Sequence, residues 1–125
     1  MKHRRLATLL VTSLAVGGLL TISSPAQAAF HEMKVREVHA GTASEPNADF
    51  VELQMWSPGQ NFVGNHILKL YTADGSVEDC TIPSDVSMGT DQSRILFATV
   101  ASGLDADFTF PPLLDGTAGA VCFQN

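Results

Sequence analysis

The chain has 125 residues, 45% of them hydrophobic, with seven Lys and Arg against thirteen Asp and Glu and a formal net charge of −6. That length suits one small domain and excludes the larger α/β enzyme architectures, of which a β/α barrel typically needs ~250 residues. So acidic a balance argues against nucleic acid and anionic lipid as partners, because both are held by clustered Lys and Arg.

The first element in chain order is a secretion signal over residues 1–28. Met1-Lys2-His3-Arg4-Arg5 is a basic start, Leu6 to Leu20 an apolar run, and Ser23-Ser24-Pro25-Ala26-Gln27-Ala28 a small-residue stretch ending in an A-x-A cleavage pattern. The run is shorter than the ~20 apolar residues of a membrane anchor. Cleavage after Ala28 is expected, with Ala29 as the near alternative. Removing 28 of 125 residues leaves 97, and the loss of Lys2, Arg4 and Arg5 takes the formal charge to −9. The expected product is a secreted protein, periplasmic or extracellular, free of the membrane once the signal is gone.

Residues 29–125 read as a single all-β domain: short apolar stretches cut by turn residues, the pattern of a sandwich. A first strand is predicted from Met33 to His39, with a bulge near Arg36-Glu37 where the Met33/Val35 alternation slips before Val38. Gly41 to Ala48 is a loop with Pro46-Asn47 as its turn signal. Phe50 to Trp56 is the clearest strand, since Val51, Leu53 and Met55 share one face and Glu52 and Gln54 the other. Ser57-Pro58-Gly59 ends it. His66 to Thr72 follows with Leu68 and Leu70 inward and Lys69 outward, and Asp74-Gly75 turns the chain into Val77 to Ile82. Arg94 to Val100 is apolar on both faces, as a central strand is. Ser102 to Phe108 is read as room for one helical turn, Pro111-Pro112 as a stop, and Gly119 to Phe123 as a last strand. The predicted core is Val51, Leu53, Met55, Leu68, Leu70, Ile95 and Phe97.

Cys80 and Cys122 are the two cysteines, and export makes an intramolecular disulfide a candidate for them. Closing that loop of 42 positions would add ~4 kcal/mol in the chain-entropy model. Two buried thiols, or pairing with a missing partner, are the alternatives.

Met33-Lys34-Val35-Arg36-Glu37-Val38, then Asp49-Phe50-Val51-Glu52-Leu53-Gln54, resembles the "I-x-E-V … D-[FY]-[VI]-E-L" opening of the lamin-tail domain family, closest to its bacterial exported branch. Gly59-Gln60-Asn61-Phe62-Val63-Gly64 resembles that branch's link to the third strand, and Gly119-Ala120-Val121-Cys122-Phe123 its late "G-G-x-[IV]-C-[FW]" strand. The similarity spans residues 31–123. It implies an immunoglobulin-like β-sandwich with a structural or binding role and no catalytic residues to carry over. Similar members continue past the C-[FW] strand to another cysteine and a closing strand, whereas this sequence stops at Asn125. The resemblance therefore implies a sandwich lacking its last strand, or Cys80 in place of the further cysteine. Nuclear members contact protein and DNA; the −9 charge argues against DNA here.

No catalytic constellation stands out. His31-Glu32-Met33-Lys34-Val35 begins like a zincin helix but has Val35 where the second imidazole belongs. His31, His39 and His66 are scattered, so no metal site is assigned. Asp74-Gly75, Asp105-Ala106-Asp107 and Asp115-Gly116 lack the EF-hand spacing, which leaves calcium only by convergence of separate loops. Ser87, Ser93 and Ser102 have no G-x-S-x-G elbow. Trp56 and Tyr71 are a candidate sugar-stacking pair, each flanked by core positions and so more simply packing residues. The expected function is non-catalytic interaction with a protein or glycan partner, without a cofactor. A carbohydrate- or calcium-dependent adhesion module is the alternative, and a small secreted hydrolase the remote one.

Overall fold

The computed structural model describes residues 32–114 and 116–124. The signal segment, its Ala28/Ala29 cleavage point, His31 and Asp115 lie outside the described residues.

The described chain is all-β and folds as a sandwich of two sheets. The strands are β1 (Met33–His39), β2 (Phe50–Met55), β3 (Ile67–Tyr71), β4 (Val77–Thr81), β5 (Arg94–Ala98), β6 (Phe108–Thr109) and β7 (Ala120–Gln124). One sheet has the order β1-β2-β5-β6 and the other β4-β3-β7. All pairings are antiparallel except β5 with β6. Strand β1 is bulged between Val35 and Glu37, where the lost alternation placed it. Strand β5 is interior to its sheet, flanked by β2 and β6.

Burial follows the period-2 reading. Val51, Leu53, Met55, Leu68, Leu70 and Ile95 are fully buried and Phe97 nearly so. Met33, Val63, Ile82, Ala98 and Phe110 join them. The helical turn is displaced from its predicted place: a single 3-10 turn spans Val100–Ser102, and residues 108–109 extend to pair with β5.

The β3–β4 turn is built as its Asp-Gly signal requires. Gly75 sits at φ +86°, a conformation that costs a residue without Cβ little. The Asp74 carboxylate accepts from the Thr72 hydroxyl at 2.6 Å and the Ser76 N–H at 2.9 Å. Those bonds, Thr72 first, hold its pKa down at about 2 against 3.8 for a free group. A depressed carboxylate contributes stability above pH 3.8 that is lost as pH falls through about 2. A carboxyl-carbon NMR titration is expected to find Asp74 with the lower midpoint. A midpoint at the ordinary Asp value would mean that the turn does not hold in solution.

The disulfide is a correction. Both cysteines are free thiols. Cys80 lies opposite Leu68, on the core-facing side of its sheet, whereas Cys122 lies opposite the outward Lys69. Strand β3 runs between them. Two strand spacings make ~10 Å, beyond the ~7 Å that a disulfide spans between Cα atoms, and the side chains leave opposite faces. Cys80 packs against the core, and burial first, then the Glu78 and Asp79 carboxylates, push its thiol pKa up. The expected result is two alkylatable thiols on unfolding without reductant. A mass shift on reduction with no change in chain number would contradict the register.

Candidate interaction surface

The sandwich has two ends, each closed by loops. At the first, β2 and β4 finish and β3 and β5 begin, so the segments 56–66 and 82–93 lie there side by side. They are joined directly: Gly59 N–H donates to Gly89 O at 2.8 Å, Val86 N–H to Asn61 O at 3.1 Å and Asn61 Nδ2 to Val86 O at 2.9 Å. The Asn61 side chain packs on the Cα of Gly89, leaving no room there for a Cβ. Asn65 N–H to Ile82 O and Ile82 N–H to His66 O, both 2.8 Å, extend the β3–β4 ladder into the loops. Val63 and Ile82 plug the core from these same segments.

With Val63 anchored inward, its neighbour Phe62 is turned out and is 59% exposed. Met88, next to Gly89 on the other segment, is 61% exposed. Trp56 follows the inward Met55 and is 52% exposed, tied in place by its N–H to Glu32 O and with Lys34 Nζ 5.4 Å from the ring centroid. Three large apolar side chains thus stand out from loops whose backbones are bonded to one another. Glu32, Asp85 and Asp91 are exposed at the same end.

At the opposite end, Asp49 organises the loops. Its buried carboxylate accepts N–H from Gly41 at 2.9 Å, Leu113 at 3.2 Å and Leu114 at 3.1 Å. Its backbone exchanges bonds with Thr99: Asp49 N–H to Thr99 Oγ1 at 3.1 Å and Thr99 N–H to Asp49 O at 2.9 Å. Nearby, a cleft of about 440 Å³ opens between Val38, His39, Tyr71, Leu114 and the 116–121 segment. The His39 ring stacks on Phe50 with centroids 5.1 Å apart.

The predicted site residues do not assemble. His39 ends β1 at the cleft end and His66 precedes β3 at the other, so they cannot share a metal. Trp56 and Tyr71 are likewise at opposite ends and form no joint platform. Asp74 is spent on its turn, and Asp107 accepts the Leu96 N–H at 2.8 Å. Among the described residues no three His, Cys, Asp or Glu side chains come together as a metal group.

No family model matches this chain. No curated protein and no solved structure matches it either.

Sequence reasoning missed Phe62, Met88 and Asp49. For Trp56 the signal was present: period 2 puts the residue after an inward Met55 on the outside. Phe62 and Met88 lie in loops without periodicity, where the choice between Phe62 and Val63 as the anchor depends on the opposing loop.

Proposed function

We propose that this chain is an exported, non-catalytic interaction module of the lamin-tail kind, with an immunoglobulin-like arrangement of its sandwich, acting at the cell envelope or outside the cell. One observation carries the reading: three exposed large apolar side chains, Trp56, Phe62 and Met88, at one end of an acidic domain, on segments whose backbones are bonded to their neighbours. Aromatic and Met side chains held exposed on a rigid scaffold are the residue types that anchor protein contacts, and loops are where binding residues concentrate. The reading requires no cofactor.

The test is retention of host envelope and secreted components on the immobilised protein, in calcium and in EDTA. Specific retention in both buffers is the expected result. Retention in calcium alone, together with a melting temperature lowered by EDTA, would replace it with calcium-dependent adhesion. Quenching of Trp56 fluorescence by polysaccharide would redirect the search to a glycan. Empty eluates in both buffers would contradict it.

A further inference from the structure

Resting on the interaction reading, we propose that the end bearing Trp56, Phe62 and Met88 docks a cationic, apolar-faced peptide segment of a partner protein, with the three side chains as the buried centre and Glu32, Asp85 and Asp91 as the rim.

The centre is given by exposure and support together. Phe62 and Met88 flank the packed pair of Asn61 and Gly89, so a partner meeting one meets the other's loop as well. Little backbone freedom is lost on binding, because the loops are already bonded to each other and anchored by Val63 and Ile82.

The sign of the partner follows from what the domain's own charges do. Three of the four Lys and Arg side chains of the described residues are paired with carboxylates, and Lys34 keeps its charge beside the Trp56 ring. Arg36 pairs with Glu52, Arg94 Nη1 lies 3.5 Å from the same carboxylate, Lys69 Nζ is 2.7 Å from Asp79, and Lys34 covers the Trp56 ring. Glu32, Asp85 and Asp91 are in none of these ion pairs and are exposed at this end, where they outnumber Lys34. Asp85 accepts the Gly64 N–H at 2.8 Å and Asp91 the Gln92 side-chain amide at 3.1 Å, neutral donors that leave both carboxylates charged. A partner bringing Lys or Arg around an apolar core is complementary to this end; an acidic segment or an anionic surface meets like charge. An extended or helical peptide with apolar and cationic residues on one face satisfies both requirements.

The experiment is a titration of the isotope-labelled full chain followed by amide NMR. The probes are a short Lys/Leu/Ala peptide, a Glu/Leu/Ala peptide, a Lys/Ser/Ala peptide and phosphatidylcholine vesicles. The expected result is binding of the Lys/Leu/Ala peptide alone, weakening with rising salt. Shifts should centre on the Trp56 indole N–H and on residues 57–64 and 84–91. The Phe62→Ser variant should bind it about tenfold or more weakly, while Val100→Ser, at an exposed apolar residue of the other end, binds it as the parent does. Equal binding of the Glu/Leu/Ala or the Lys/Ser/Ala peptide would overturn the proposal, as would vesicle binding, shifts confined to the cleft end, or no binding by any probe. If the host pull-down retains a partner while the Lys/Leu/Ala peptide fails, this inference falls and the interaction module stands. If the pull-down is empty too, both fall.

Discussion

Replacing Asp49 by Ala is expected to lower the unfolding free energy by about 3 kcal/mol or more. The Asp49 side chain is fully buried, and its two oxygens take three backbone N–H groups from two distant segments. Ala removes the acceptors and leaves three part-buried donors without their partner, where an unsatisfied buried group costs about 1–3 kcal/mol. For a domain of this size, a loss of that order lowers the melting temperature by about 12 °C or more. Asp49→Asn separates shape from chemistry. It keeps the volume but turns one acceptor into an N–H₂ group, which must then confront the N–H of Gly41 or those of Leu113 and Leu114. It is therefore expected to fall between the parent and Ala. Thermal and denaturant melts measure both variants; a cost under about 1 kcal/mol for Ala would mean that water replaces the carboxylate without penalty.

The second large effect is Leu53→Ala, at an expected cost of about 2–5 kcal/mol. Leu53 is fully buried in β2, between Val35 on β1 and Ile95 on β5, so it lies at the middle of three strands of one sheet. The neighbours are held by their ladders and cannot collapse into the space, so the loss combines transfer and cavity terms. Leu104→Ala is the matched control: the same chemistry at a half-exposed loop position is expected to change stability by less than about 0.5 kcal/mol. Equal costs for the two would contradict the sandwich core as assigned.

Much of the fold was legible because it rests on local alternation. Val51, Leu53 and Met55 face inward for the reason their spacing gave, and the slip between Val35 and Val38 became a bulge. Asp74-Gly75 made its turn. What could not be read depends on register and on distant partners. The sequence shows two cysteines but not that they fall on opposite faces of a sheet with β3 between them. Strand β6 is two residues long and owes its extension to β5. An isolated Asp reads as solvated, and only the fold brings Gly41, Leu113 and Leu114 to Asp49. The candidate surface was half legible: Trp56 follows from the parity of β2, whereas Phe62 is turned out beside the inward Val63 and Met88 lies in a loop without periodicity.

The central claim, an interaction module working through one end of the sandwich, is tested most directly by repeating the pull-down with the triple variant Trp56→Ser, Phe62→Ser, Met88→Ser. All three residues are more than half exposed, so the variant is expected to keep its fold and melt close to the parent. The expected result is that the parent retains a specific partner and the folded variant loses it. Equal retention by both proteins would contradict the assignment of function to this end.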